Sequence, residues 1–468
     1  MYKLKQYQKE GSDFIIARKG RAILTDEMGL GKTLQALDAI YKLNGFPVLI
    51  VGIKPALYVW KDEISKWFGD EAIIYSGNPK ARDIAWNEFI VSDCKFLITN
   101  YAFVEEVKNR NFLLWKTVVT DEYHLPGLLN RKTLIFKSMK LLTKACKYLI
   151  MITGTPMRSN LSELYAPFHL IDPEAFPSYW KFVGEHCIRI KYYFGYEIEA
   201  RPKDVPKFIK LRTKYMIRRT KDKVMPELPP KIRQVIPVEM TPNQKKLYDS
   251  MTREMLITFG SNVIYAQNEM VKILRQRQLL VTPKIFDIPI FGGALECLAE
   301  MIEAEFIAGN PVAVFTPFRK AIPYITEAIV AKVKEGVSFF KLHGGMSAKA
   351  LHYNAKAFQD TQSVKKVMIG TIKSGTAVTI TAAKVCFFIG YEWKAYANAQ
   401  AEDRLHRIGQ IDSVRVYYLL YRNTADERVK ELINKSQQAM NWVFTPQQYM
   451  QEIKIREDKH KKLLHVVH

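Results

Sequence analysis

What this chain has little of narrows it first. Its five cysteines, Cys94, Cys146, Cys187, Cys297 and Cys386, stand far apart, with no CxxC pair and no zinc-ligand spacing. Neither a disulfide framework nor a zinc site is expected, and the thiols read as reduced core residues. No stretch approaches the roughly 18 consecutive apolar residues of a membrane-crossing helix. The opening MYKLKQYQKEGSDF has no apolar run of the signal-peptide kind. Internal repeats and low-complexity linkers are missing as well. Acid is short too: 47 Asp+Glu stand against 70 Lys+Arg, a net charge of +23. That is beyond what solubility needs and points to a polyanion, nucleic acid ahead of an anionic membrane surface.

What is there begins with short apolar, β-branched runs. One series is Arg21–Leu24, Val48–Val51, Phe96–Thr99, Thr117–Thr120 and Tyr148–Thr153. A second is Val312–Phe315, Ser338–Leu342, Val367–Gly370, Val385–Ile389 and Val414–Leu420. Buried parallel strands read as such runs, and helix-compatible segments between them imply α/β sheets. Two series imply two α/β lobes, and 468 residues leave room for them. The gap between, roughly 156–291, is rich in Lys, Arg, Tyr and Phe. There Tyr179–Lys191 and Val205–Arg219 read as helices, and Asn243–Gln278 as one or two more.

The strongest local signal is Thr25-Asp26-Glu27-Met28-Gly29-Leu30-Gly31-Lys32-Thr33. It follows a strand and opens a helical pattern, the setting of a phosphate-binding loop. Glycines let backbone N–H groups curl round a phosphate, and the helix N-terminus adds a positive end. Lys32 would reach the β/γ-phosphates and Thr33 would hold Mg²⁺. The usual first glycine is Asp26 here. Such a loop needs a carboxylate for the metal and an orienter for water. Asp121-Glu122-Tyr123-His124 ends a strand, where parallel sheets place ligands. Asp121 would hold Mg²⁺ through water and Glu122 would polarise the attacking water. Later, Gln400-Ala401-Glu402-Asp403-Arg404-Leu405-His406-Arg407-Ile408-Gly409-Gln410 sets two arginines three apart, on one face if the segment is a helix. Arginine beside a γ-phosphate promotes hydrolysis.

Taken in order, these segments resemble the Swi/Snf-related ATPases of helicase superfamily two, over nearly the whole chain. Leu4–Gln8 resembles the adenine-reading segment, with Gln8 the adenine contact. DEMGLGKT, from Asp26 to Thr33, is the family's own form of the loop, so Asp26, Met28, Gly29, Leu30, Gly31, Lys32 and Thr33 are implied to hold nucleotide. Lys54, Pro55 and Trp60 resemble the next segment, on the DNA side of lobe one. Thr99-Asn100-Tyr101 resembles a TSY-type strand end, and DEYH stands for the usual DEAH. His124 with Thr153-Gly154-Thr155 resembles the elements that couple hydrolysis to lobe movement. Met216–Lys221, containing Arg218 and Arg219, and Leu228-Pro229-Pro230-Lys231 resemble pieces rare outside the family. In lobe two, Val314–Arg319, His343–Ser347 and Gln400–Gln410 follow the pattern.

The resemblance implies two RecA-like lobes, parallel sheets flanked by helices, with a helical insertion. Lobe one is expected over 1–235, with a basic helical protrusion from about 157. A helical linker would cover 236–290, lobe two 291–450 and a charged tail 451–468. ATP and Mg²⁺ would bind lobe one, with Gly375 and Gln400 adding nucleotide contacts. Arg404 and Arg407 would be the fingers supplied from lobe two. Lys54, Thr99, Arg218, Arg219, His343, Thr371 and Trp393 would serve coupling or DNA contact. The implied activity is a DNA-stimulated ATPase motor on duplex or branched DNA, or on single strands. It would remodel junctions or forks, alongside replication or recombination proteins, as a monomer. A bacterial or phage protein of this kind would be cytoplasmic, a eukaryotic one nuclear. Displacement of a protein from nucleic acid, and nucleotide-dependent binding with weak turnover, stay open as alternatives.

Some segments depart from the family. The Gly-rich stretch Gly370–Thr381 keeps only Gly375 of the usual three glycines, and Trp393-Lys394-Ala395 keeps only the tryptophan of WNP. Tyr123 replaces alanine, and Leu125-Pro126-Gly127 replaces the usual Arg-Leu-Lys. Between Lys181 and Arg233, 15 Lys+Arg against 6 Asp+Glu leave a local +9, read as a phosphate grip over an aromatic core.

Overall fold

The computed structural model describes residues 3–445 apart from 126, 159, 193, 194, 261 and 375–377. The chain divides into two units, Met1–Val224 with Lys435–His468, and Met225–Asn434.

In the first unit, β1 (Arg21–Leu24), β2 (Val48–Gly52), β3 (Ala72–Tyr75), β4 (Phe96–Asn100), β5 (Thr117–Asp121) and β6 (Tyr148–Ile152) follow in chain order. An antiparallel hairpin, β7 (Cys187–Tyr192) and β8 (Gly195–Pro202), precedes β9 (Met216–Ile217). The main sheet runs β3-β4-β2-β5-β6-β1-β9, every pair parallel. All five residues of β2 and of β6 are buried. A strand covered on both faces has no use for polar alternation, which is why these runs are continuously apolar. Each fully buried Val, Leu, Ile or Phe side chain contributes about 1.5–3 kcal/mol.

The second unit begins with β10 (Lys231–Val238) and an antiparallel hairpin, β11 (Leu256–Phe259) with β12 (Asn262–Tyr265). It continues with β13 (Val312–Thr316), β14 (Ser338–Leu342), β15 (Lys366–Thr371), β16 (Val385–Ile389) and β17 (Val414–Tyr421). Its sheet is also wholly parallel, ordered β10-β17-β16-β13-β15-β14. Alternate residues of β13 enter two different cores: Val312 and Val314 pack on one side, Ala313 and Phe315 on the other. Both units are therefore parallel sheets with helices on their faces, the RecA-like arrangement.

The structure corrects several expectations. The boundary falls after Val224 rather than at 235, because Lys231–Val238 pairs along its whole length with β17 and so belongs to the second sheet. Residues 236–290 are part of that second unit, and they include the β11–β12 hairpin between helices Pro242–Glu254 and Glu269–Val281. The second unit ends at Asn434, short of 450. The helix expected over Tyr179–Lys191 stops at His186 and the chain becomes β7. The helix expected over Val205–Arg219 stops at Tyr215, ahead of β9. The tail over 451–468 lies outside the described residues. Among the described residues, no helix is long and apolar enough to cross a membrane.

Candidate functional site

One edge of the first sheet gathers most of the predicted chemistry. Leu24 of β1 pairs with Ile152 of β6, and Ile152 pairs with Asp121 of β5. The phosphate loop, the acidic pair and Thr153 therefore leave three neighbouring strands at one level. All three strands run the same way, so this is the carboxyl edge, where open α/β sheets bind ligands.

The loop from Thr25 to Gly31 is curled, with Gly29 at φ +88° and Gly31 at φ +69°. Those left-handed angles suit glycine. A Cβ on Gly31 would also strike the Gln8 amide. Lys32, almost buried, donates from Nζ to the carbonyls of Asp26 (2.8 Å) and Glu27 (3.2 Å). Thr33 is half-buried in the first turn of helix Lys32–Lys42. Met28 and Leu30 are buried. Gln8 donates to the Leu30 carbonyl at 3.5 Å, which brings the proposed adenine reader to the loop itself.

A lattice behind the loop holds its shape. Thr25 N and Glu27 N donate to the carbonyls of Ile217 and Arg219 (2.8 and 2.9 Å), continuing the β1–β9 ladder into the loop. Asp26 is completely buried and accepts from Arg219 N (2.9 Å), Nε (3.1 Å) and Nη2 (2.5 Å), and from Gln35 Nε2 (3.1 Å). The residue that broke the simple glycine pattern is thus an anchor. Arg218 donates to the carbonyls of Thr25 (2.8 Å) and Gly154 (2.9 Å), and its guanidinium lies 4.5 Å from the Phe444 ring centre. Burial pulls the Arg218 pKa down, against the pull of Glu27 and Asp26. Arg218 and Arg219 were expected to serve coupling or DNA contact. Their side chains instead point at the phosphate loop and brace it. Gln35 is a bracing residue the sequence reading missed; its position one helical turn after Lys32 was the available signal.

The acidic pair is held with equal care. Asp121 Oδ2 accepts from Trp60 Nε1 (2.9 Å), and its carbonyl accepts from the Tyr101 hydroxyl (3.1 Å). Burial, with the charges of Asp121 and Glu122, pushes the Tyr101 phenol well up, so it stays a neutral donor. Glu122 is buried at φ +52°, a left-handed angle that costs a non-glycine residue about 1–2 kcal/mol. Its N–H donates to Ile152 O (2.9 Å), and its Oε2 accepts from Thr153 Oγ1 (3.0 Å). Thr153 Oγ1 also receives Thr155 N (3.0 Å) and lies 2.6 Å from His124 Nδ1. The hydroxyl has one proton, given to Glu122, so His124 Nδ1 is the donor in its contact. Glu122, Thr153 and His124 form one unit. Gly154 sits against Met28, where a Cβ would come within 2.8 Å of its Cγ. Tyr123 is fully buried in the hydrophobic core, so the replacement of alanine in DEYH adds packing beneath the strand.

Thr99 is corrected. It is fully buried and its hydroxyl donates to Tyr75 O (3.0 Å) across β4 and β3, so it is a sheet residue with no face for DNA. Lys54, by contrast, is exposed just past the end of β2.

The second unit presents the arginine segment differently from expectation. Helix Ala395–Glu402 ends before either arginine, and residues 403–409 are turns. Arg404 and Arg407 therefore share no helix face. Arg404 is completely buried, with its carbonyl accepting from Ile380 N (3.1 Å). Arg407 is half-buried, donating from Nε to Asp403 O (2.8 Å) and from Nη1 to Thr379 Oγ1 (3.1 Å). Of the two, Arg407 is the more exposed. Gln400 is buried within the helix, and neither amide atom has a hydrogen-bond partner among the described residues. Gly375 lies outside the described residues. His343 and Thr371 follow or end β14 and β15, with Thr371 Oγ1 bonded to Ser374 Oγ (2.7 Å). Burial first, then Arg319 and Lys341, pulls the His343 pKa down. Trp393 is partly exposed, with the Arg277 guanidinium 4.5 Å from its ring centre.

The basic stretch is less free than its composition suggests. Arg218, Arg219, Lys231 and Arg233 are all committed to internal partners. Lys181, Lys203, Lys207 and Lys210 remain exposed.

The donor set fits a magnesium nucleotide. No cluster of three His, Cys, Asp or Glu able to hold a metal occurs among the described residues. Mg²⁺ here would be held by Thr33, Asp121 and the phosphates themselves, as hard, water-retaining Mg²⁺ prefers.

Two family models match the chain. The SNF2-related domain covers residues 7–285, and the helicase conserved C-terminal domain covers residues 293–409. Among curated relatives, the human DNA annealing helicase and endonuclease ZRANB3 is 26% identical over 450 residues, 93% of this chain and 40% of that protein. The CHD3-type chromatin-remodeling factor CHR7 of Arabidopsis thaliana is 25% identical over 479 residues, 96% of this chain and 38% of that protein. The Sulfolobus solfataricus SWI2/SNF2 ATPase core in complex with dsDNA is a solved structure 23% identical, with 92% of this chain and 91% of that chain covered and a TM-score of 0.41. The chain thus spans about two fifths of the length of these curated relatives. With the SNF2-related model covering more than half of its residues, this chain belongs to the SNF2-related family.

Proposed function

We propose that this protein is an ATP-driven motor that tracks on duplex or branched DNA and remodels it. The observation that carries the reading is the shared sheet edge: phosphate loop, acidic pair and Thr153 at one level of β1, β5 and β6. In this reading Lys32 binds the β/γ-phosphates and the helix N-terminus behind it adds a positive end. Asp121, oriented by Trp60, and Thr33 would hold Mg²⁺, which would neutralise charge on the phosphates. Glu122 orients the attacking water. Thr153 links Glu122 to His124 and, through Thr155 N, to the strand end, so a change at the water is felt by the backbone. Arg407 is the group the second unit contributes to the γ-phosphate. Lys54, His343, Thr371 and Trp393, all at carboxyl ends of strands or just beyond, are the DNA contacts.

Branch migration, fork remodelling and strand annealing are the finer activities we infer; of these, annealing is the one that the name of the human relative carries. The protein would work as a single chain, wherever DNA is handled in its cell. The test is ATP turnover with no nucleic acid, single-stranded DNA, duplex, four-way junction and RNA. Duplex or junction should stimulate most, with the effect falling steeply as salt rises. Lys32→Ala should reduce turnover at least ~10²-fold, and Glu122→Gln should bind ATP without hydrolysing it. Absence of stimulation by any DNA would end the motor reading.

A further inference from the structure

The arginine loop has a brace of its own, from a segment far away in sequence. Helix Ala395–Glu402 ends in two acids, Glu402 and Asp403, both nearly buried. A helix C-terminus is the negative end of its dipole, so two buried carboxylates there need cations. Strand β10 brings them. Lys231 Nζ lies 2.8 Å from Asp403 Oδ1 and 2.9 Å from Glu402 Oε2. Arg233 grips Glu402 through Nε and Nη2 at 2.7–3.0 Å, and the Tyr418 hydroxyl donates to Glu402 Oε1 (2.7 Å). Burial opposes the charge on Lys231, but Asp403 and Glu402 outweigh it and its pKa ends above the ordinary value.

Further contacts hold the loop, one of them from the same stretch. His406 Nε2 donates to Pro229 O (2.7 Å), so the Leu228–Lys231 segment holds the loop at both 403 and 406. Past the arginines, Gln410 Nε2 donates to the carbonyls of Thr381, Ala383 and Leu405 at 3.1–3.2 Å. Asp403 is the hinge of the arrangement. Its carboxylate rests on Lys231, while its main-chain carbonyl accepts from Arg407 Nε (2.8 Å).

We propose that Lys231 is a positioning residue for Arg407, acting through Asp403. Asp403 without Lys231 is a buried carboxylate that has lost a cation. It turns toward water, its carbonyl turns with it, and Arg407 loses its Nε bond, one of the contacts that orient its guanidinium. The role of Arg407 in hydrolysis rests on the function proposed above; the brace itself does not.

The test uses the full chain at saturating duplex DNA, with Lys231→Met, Arg233→Met, Asp403→Asn and Arg407→Ala. Lys231→Met should lower kcat at least tenfold and leave KM for ATP within twofold. It should add less than twofold to the loss in Arg407→Ala, because both changes remove the same interaction. Arg233, which holds Glu402 alone, should cost less than threefold. Should Lys231→Met fail to fold, Asp403→Asn, which keeps shape and weakens the same link, carries the identical expectation. Amide exchange over 403–410 supplies a readout that needs no activity: it should quicken in Lys231→Met and stay slow in Arg233→Met. An unchanged kcat, full multiplication of the two losses, or unchanged exchange would overturn the inference. A wild-type chain with no DNA-stimulated turnover, but with quickened exchange in Lys231→Met, would sink the motor reading and leave the brace standing.

Discussion

The phosphate loop of the first unit and the arginine loop of the second are braced by neighbouring parts of one stretch, but by different means. Behind the phosphate loop a main-chain ladder runs beside the side chains. Thr25 and Glu27 bond to the carbonyls of Ile217 and Arg219, and Arg218 caps the carbonyls of Thr25 and Gly154. Behind the arginine loop the contact is mostly side chain, with Lys231 and Arg233 on Glu402 and Asp403. A main-chain ladder tolerates side-chain replacement and holds one geometry. A side-chain cluster can loosen and re-form, and it answers to charge. The loop that must hold phosphates has the first; the loop carrying the proposed finger has the second.

The largest effect that sharpens this contrast comes from Arg219. It is the ion-paired side chain of the first brace, set against a fully buried Asp26. Arg219→Ala leaves that carboxylate uncompensated and should cost about 3–5 kcal/mol in stability. Urea unfolding of the first unit measures this. If ATP binding survives in the variant still folded, the main-chain ladder is enough to shape the loop; if binding is lost at once, the contrast drawn above is wrong.

The second test concerns charge in the second unit. Buried Asp426 has its pKa raised from 3.8 to about 6, by burial first, with Arg277 pulling the other way. The folded state therefore keeps a proton that the unfolded chain releases. That contribution is full below about pH 4 and is lost as pH climbs through 6. Asp426→Asn removes the ionisation, so at pH 8 the variant should be more stable than wild type by about 2–3 kcal/mol, with the gain gone near pH 4. Thermal melting across that range checks it. A gain that does not depend on pH would mean that the carboxylate is not what the second unit struggles to bury.

The smallest expected effect belongs to Tyr123. It is buried in the core and its hydroxyl has no partner among the described residues. Tyr123→Phe should stabilise the first unit by about 1 kcal/mol, with ATP turnover unchanged. Loss of turnover would place Tyr123 in the catalytic unit with Glu122 rather than beneath it.

How much of this was legible in the sequence follows from how each element is buried. Strands covered on both faces advertise themselves as unbroken apolar runs, so Arg21–Leu24 and Val385–Ile389 were readable to the residue. Edge strands vary: Ser338–Leu342 was readable although mostly half-buried, while β9 and β10 were not. β10 carries Lys231, Arg233, Gln234 and Pro237, and β9 has two residues, so neither announced itself. The phosphate loop and acidic pair were legible because spacing and order specify them. The arginines were legible as types but not as geometry. Arg404 sits in a charged string yet is fully buried, and Arg218 and Arg219 read as coupling or DNA contacts yet point inward. Charge in a sequence gives sign, not direction. The missed signal was local: a basic pair directly after a two-residue edge strand is placed to reach back over the neighbouring loop.

The pairing of β9 with β1 and of β10 with β17 also bears on how the protein is made. Ile23 waits for Met216, and Lys231 waits for Val414. Contacts so distant in sequence form late, because the intervening chain must first be synthesised and compacted. In a chain emerging residue by residue, the phosphate loop stays unbraced until nearly all of its unit has left the ribosome, and the arginine loop is fastened only once its own sheet closes. Each site would mature last in its unit, so a truncated or stalled product would carry the residues for ATP chemistry without their working geometry.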